Sequence, residues 1–327
     1  MSRTVTSTGQ SGIEFRLAAQ FAGEISQARD DLLNLSNLHQ DFVRECFAAI
    51  DAKKLRAGVP LAGEYFPHLV ARSLQLDDQD RRILAAATLA MYGYIYLVDY
   101  ELDRNGFLNG RASIAASALL AWSIATIGRY TAGTRYADVF LSNINQAMAG
   151  QYEDMQKRAS AAADRERSDI DKNRPSLAII AGFCAAAHET DDRLIRAAEA
   201  LLGPIQIFDD LHDVKEDHDE NNITAFVRIV RDCASPAASL SENDMYRMIV
   251  RDPRINTLLA RCADTIERTL LILDPRRDAM MIEYLCDTRD RTGALVHALG
   301  IYQRNPTAPA EAEVFHRIGE MRASQDW

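Results

Sequence analysis

Asp209, Asp213 and Asp217 stand at positions i, i+4 and i+8, with Asp210 beside the first, and they follow directly on an apolar stretch. On a helix that spacing gathers the three carboxylates into one stripe. Like charges at i, i+4 oppose each other by about a few tenths of a kcal/mol per pair, so folding alone gives no reason for the stripe. A divalent cation does. Mg²⁺ takes hard oxygen ligands, commonly one or two carboxylates together with waters and phosphate oxygens. Well upstream, Asp99 and Asp103 repeat the arrangement at the end of an apolar, aromatic-rich segment, Leu84 to Val98. Either pair alone also fits a solvated acidic helix end. Two such pairs, each closing an apolar helix, could clamp metal ions between them.

Carboxylates on separate segments act together only if the segments are held side by side. The chain reads as helix after helix, by apolar periodicity or by helix propensity. The expected helices are Ile13–Asn37, Leu38–Asp51, Leu61–Leu76, Gln79–Asp103, Ala112–Tyr130, Tyr136–Ala161, Leu177–Ala187 and Asp191–Asp217. Ala225–Arg231, Ser241–Val250, Pro253–Leu273, Pro275–Asn305 and Ala308–Ser324 follow. Caps mark several starts: Thr190-Asp191 before Arg193, Ser241-Glu242, and Asp274-Pro275 with proline at the first helical position. Breaks are expected at Asn105–Gly110, Asp164–Pro175, Asp219–Ile223 and Ala234–Ser239. No strand-like alternation, internal repeat or Pro/Ser-rich linker interrupts the pattern. The expected fold is all-α, a single-domain bundle of roughly ten or more helices around a central apolar cavity, over residues 13–327. Residues 1–12 are polar and expected to be disordered.

Composition narrows the function classes. The 327 residues include 47 acidic and 37 basic side chains, a formal charge of −10, and no basic cluster with interleaved aromatics. That excludes nucleic acid as the expected partner. With 16 Gly and 9 Pro, turn-rich β folds are disfavoured. The five cysteines, Cys46, Cys184, Cys233, Cys262 and Cys286, are scattered and without CxxC spacing. They read as free thiols in a reducing compartment, with no zinc site. Met1–Gly12 lacks the apolar core of a signal peptide. The longest apolar runs, Ser113–Ile127 and Leu177–Ala187, fall short of the roughly 20 residues that span a bilayer. A cytoplasmic protein without stable membrane insertion is expected, with a homodimer allowed but not required.

The motifs resemble those of class I isoprenoid synthases. Gln206-x-x-Asp209-Asp210-x-x-Asp213 matches the second aspartate-rich motif of trans-isoprenyl diphosphate synthases, QxxDDxxD, and Asp99–Asp103 falls where their first belongs. Gly150-Gln151-Tyr152-Glu153-Asp154 is similar to their GQxxD, Lys172 sits near their diphosphate-binding lysine, and Thr224 looks like the threonine of KSTYP. The resemblance runs in order through the middle half of the chain. It implies Mg²⁺ as cofactor and a prenyl diphosphate as substrate. It further implies Asp99, Asp103, Asp209 and Asp213 as catalytic metal ligands, joined by Asp210 and Asp217. Lys172 and Arg174 would bind diphosphate, and Tyr92, Tyr96, Phe183, Gln206 and Phe208 would line the substrate pocket. Core packing is the plain alternative for these aromatics. Arg129, Arg289 and Arg291 read as surface residues, and His212 as packing or solvent-facing. His68, His188 and His297 read as satisfied core histidines.

The departures from the family separate its activities. Elongating enzymes carry a basic GGKxxRP motif that holds a second diphosphate. Here the corresponding stretch, Leu61 to Pro67, keeps the proline but has Gly63, Glu64 and Phe66 at the basic positions. Lys53 and Arg56 lie about ten residues, or some 15 Å of helix, too early to replace them. Tyr100 stands in place of a second aspartate in the first motif, and Asn222 replaces the lysine of KSTYP. These losses favour a terpene synthase, a lyase acting on one prenyl diphosphate. A prenyltransferase is the second reading, and a non-catalytic partner subunit with this fold the third.

Overall fold

The computed structural model describes residues 13–57, 61–105, 110–158, 173–219, 223–234 and 240–322. Among the described residues every regular element is a helix, and fifteen are present. They are α1 (Ile13–Gln20), α2 (Ala22–Leu35), α3 (Gln40–Ala57), α4 (Ala62–Leu74), α5 (Asp78–Asn105), α6 (Gly110–Thr131), α7 (Ala137–Arg158) and α8 (Pro175–Ala186). Then come α9 (Arg193–His212), α10 (Val214–Asp219), α11 (Ala225–Cys233), α12 (Glu242–Arg251), α13 (Arg254–Leu270), α14 (Ala279–Arg304) and α15 (Ala308–Arg322). The all-α expectation holds. The expected disorder of residues 1–12 lies outside the described residues.

The segment Leu177 to Ala185 carries no polar face, so its helix has to be enclosed. Every residue of that stretch of α8 is buried, and α4, α5, α6, α7 and α9 pack around it. Close approach requires a small residue at the α8–α6 crossing, where a Cβ on Gly182 would stand 2.5 Å from Ile127 Cγ2. Gly93 serves the α5–α3 contact in the same way, with Cys46 Sγ only 2.0 Å from where its Cβ would be. The apolar helix α6 is 22 residues long and passes a length-and-composition test for a membrane span, which its shorter run Ser113–Ile127 did not suggest. One of its faces is buried against α3, α5 and α8, and Ser123 Oγ donates to Ala87 O at 2.7 Å inside that contact.

One expected helix bends near its start and another begins late. Ile13–Asn37 bends at Phe21 (φ −98°, ψ 12°), whose ring is fully buried 5.5 Å from the imidazole of His68. The backbone bonds Phe21 N→Leu17 O and Ile25 N→Phe21 O continue across the bend. The long helix expected from Pro275 begins instead at Ala279, because the Asp278 carboxylate turns back to accept from Asp274 N at 2.9 Å. It also pairs with Arg193, Nε to Oδ2 at 2.8 Å, with both side chains buried. Glu189 joins this cluster through Arg193 and Arg277. Ser241 caps α12 as expected, in a capping box with Asp244.

The histidine expectation needs correction. His188 and His297 are exposed, and only His68 is buried. Neither of its ring nitrogens has a hydrogen-bond partner. Burial pushes its pKa down to about 4, with Glu24 opposing and Arg81 and Arg72 assisting. Burial likewise pushes the thiols of Cys46, Cys184 and Cys262 up to about 12, which leaves them protonated and unreactive.

Two measurements test this packing. Gly93→Ala should cost about 1–3 kcal/mol in urea unfolding through overpacking. Gly293→Ala on α14, where no atom lies within 4 Å of the new Cβ, should stabilise by up to about 1 kcal/mol through helix propensity. The His68 shift sets a pH window. The folded pKa of about 4 lies below the unfolded value of 6.5, so the unfolded chain binds the extra proton between them. Stability should therefore fall as pH drops from 6.5 towards 4, and His68→Phe should flatten that slope in a pH series of denaturation midpoints.

Candidate active site

The second carboxylate group sits where α9 ends. Asp209 lies in its last turn, Asp213 is its C-cap (φ −94°, ψ 14°), and Asp217 belongs to α10. The expected helix Asp191–Asp217 is thus broken at Asp213. Asp213 N still donates to Asp209 O at 2.9 Å, and Asp217 N to Asp213 O at 2.8 Å, so the stripe keeps its register through the bend. All three side chains are half-buried. A helix C-terminus is the negative end of the macrodipole, which adds a second electrostatic cost to their mutual repulsion.

Asp210 faces elsewhere. It is buried, and Gln206 Nε2 donates to its Oδ1 at 2.6 Å. Gln206 Oε1 in turn accepts from Asn173 Nδ2 at 2.9 Å. Beside Asn173, Arg174 opens the first turn of α8, and its Nη1 donates to Asn143 Oδ1 on α7 at 3.1 Å. Lys172 lies outside the described residues. Asp99 and Asp103 fall four apart in the last turns of α5, and their side chains lie outside the described residues too.

Among the described residues no three His, Cys, Asp or Glu side chains form a group that could hold a metal ion. Asp209 and Asp213 nevertheless fit Mg²⁺ in kind. They are two hard, partly exposed carboxylates on adjacent turns, and Mg²⁺ leaves its remaining positions to water and phosphate oxygens.

An apolar pocket with about 30 Å³ of interior space runs alongside. Leu194, Ala197, Ala198, Leu201 and Ile205 of α9 form one wall, and Ser176 and Ile180 of α8 another. Phe66 and Val70 of α4 and Met281 and Leu285 of α14 complete it. From Leu194 to Ile205 the α9 wall extends roughly 16 Å. Its end at Ile205 is one helical turn from Asp209. Beyond Leu194, at the opposite end of the α9 wall, lies the buried Arg193–Asp278 pair. No titratable side chain is among these walls. Tyr92, Tyr96, Phe183 and Phe208 are buried in the core, with Tyr92 and Tyr96 stacked at 6.0 Å, and none of them is a wall of this cavity.

The family's basic positions acquire a different meaning in three dimensions. Glu64, expected to repel a second diphosphate, is buried and accepts from Arg29 Nη2 at 2.9 Å, so its charge is already balanced. Gly63 makes room for Tyr92, whose Cγ lies 2.6 Å from where a Cβ would be. Phe66 is the decisive residue of the three, because it is a wall of the cavity. Lys53 and Arg56 lie on α3 with side chains outside the described residues.

Several smaller expectations are placed as well. Thr224 caps α11 by accepting from Val227 N at 3.4 Å. His212 is half-buried, with Nε2 3.9 Å from Asp213 Oδ1. Arg289 and Arg291 are engaged in ion pairs, with Glu267 and Asp290 and with Glu14 and Asp287. Arg129 is exposed. No protein-family model, curated protein or solved structure matches the chain.

The end of α9 yields a direct test. Mg²⁺ alone should raise the melting temperature of the wild type, since a cation bound only to the folded state stabilises it by mass action. The double variant Asp209→Asn/Asp213→Asn should melt slightly higher than wild type without Mg²⁺, by relief of repulsion, and gain nothing from added Mg²⁺. An equal Mg²⁺ shift in both proteins would place the ion elsewhere.

Proposed function

We propose that this chain is a Mg²⁺-dependent class I terpene synthase with an isoprenoid-synthase-like fold. It would ionise one prenyl diphosphate and convert the resulting cation to a hydrocarbon or alcohol. One observation carries the reading: an apolar groove ends one helical turn from paired carboxylates, and Phe66 stands where elongating enzymes place a diphosphate-binding cation. The order of motifs along the sequence supports it independently.

The residues divide the work by position. Asp209 and Asp213, with Asp99 and Asp103 of α5, would hold the cation. Mg²⁺ supplies Lewis-acid neutralisation of the leaving diphosphate when bound. Arg174 and Lys172 would donate charge-assisted hydrogen bonds to the same oxygens. The groove receives the hydrocarbon tail and keeps water from the cation. Phe66 offers that cation a π face. Since no wall residue is titratable, the departing diphosphate is the base to which the final proton goes.

Incubation with geranyl, farnesyl or geranylgeranyl diphosphate and Mg²⁺, followed by chromatography of extracted products, decides the matter. The expected outcome is a terpene hydrocarbon or alcohol, formed at a rate that isopentenyl diphosphate does not increase. A longer prenyl diphosphate as main product would instead identify a prenyltransferase. No diphosphate release under any condition would leave the non-catalytic subunit.

A further inference from the structure

The side chains of Asp210, Gln206 and Asn173 form a continuous hydrogen-bonded chain between two helices. Gln206 and Asp210 sit four apart on α9 and are both buried, while Asn173 precedes α8. Asp210 points about 100° around α9 from Asp209, and Gln206, one turn earlier, lies between the two. The hydrogen-bonded chain terminates on the residue next to Arg174. The Asn173 carbonyl is tied as well, accepting from Ser176 Oγ at 2.8 Å, and the Arg174 carbonyl accepts from Leu177 N at 3.0 Å. A buried amide satisfied on both sides has one favourable orientation, because turning it would set donor against donor and leave a carboxylate facing an oxygen.

We propose that Asp210 is a positioning residue and not a metal ligand: through Gln206 it fixes Asn173, and thereby holds Arg174 in register with Asp209 and Asp213. This rests on the diphosphate-binding role proposed above for those residues. The carboxylates project from the end of α9 and the guanidinium from the start of α8. The crosslink ties the start of α8 directly to the last turns of α9.

Calorimetry of inorganic diphosphate binding in the presence of Mg²⁺ tests the idea without requiring turnover. Asn173→Ala should weaken binding by roughly tenfold, the worth of one such hydrogen bond. In an Arg174→Ala background the same change should have no further effect, because there is no guanidinium left to place. Asp210→Asn keeps an oxygen that can accept from Gln206, so it should fold and should retain the wild-type melting shift with Mg²⁺ alone. Additive losses in the Asn173/Arg174 cycle would overturn the proposal, as would loss of the Mg²⁺ shift in Asp210→Asn. A wild type that binds no diphosphate under these conditions would reject the function itself, an outcome distinct from additivity.

Discussion

A helix without a polar side must be surrounded, and α8 imposes that condition on the rest of the molecule. Its buried length draws α4, α5, α6, α7 and α9 around it, and Gly182 marks how closely one of them has to come. The arrangement has a directional consequence. A central helix that begins at Pro175 puts residues 173–176 beside the end of α9, where the carboxylates are. The amide of Asn173 reaches Gln206 on α9, while the neighbouring Arg174 guanidinium donates to Asn143 of α7.

The two ends of the groove differ in how their charges are settled. At the Leu194 end Arg193, Asp278, Glu189 and Arg277 neutralise one another. Burial alone would raise the Glu189 pKa, yet the hydrogen bonds from Arg277 and Arg193 overcome it and hold the carboxyl down at about 2. Such a cluster is expensive to break, because removing one partner strands the others in a poorly solvating interior. At the Ile205 end Asp209, Asp213 and Asp217 stand together at a helix terminus that already carries negative partial charge. The first end is a buried cluster of balanced charge, and the second gathers half-buried carboxylates of like sign.

Much of this was legible in the chain. Helical periodicity located the elements, and the spacing of Gln206, Asp209, Asp210 and Asp213 placed a carboxylate group at the end of an apolar helix. The same spacing could have shown that Gln206 and Asp210, four apart, meet on the helix surface. Other features depend on partners far away in sequence. Phe21 bends its helix because of a histidine on α4, and α14 starts late because Asp278 is committed to Arg193. The charge of Glu64 was readable but its neutralisation by Arg29 was not, since that contact joins α2 to α4. Asn173, flanked by charged residues, looked like part of a solvated loop. His68 looked like a satisfied core residue, and local pattern carries no information about whether a buried ring finds a partner.

The groove also has a volumetric meaning. Aliphatic walls facing open space lack dispersion partners on one side, so the folded state forfeits contacts that a close-packed interior would have. Internal space of this kind is eliminated when a chain unfolds, and this lowers the volume of the unfolded system relative to the folded one. Unfilled space beside Leu201 and Val70 would add to that volume change. An apolar tail that fills the groove removes the compressible space without adding polar contacts. Occupancy would then register as a stiffer molecule before it registered as a differently shaped one.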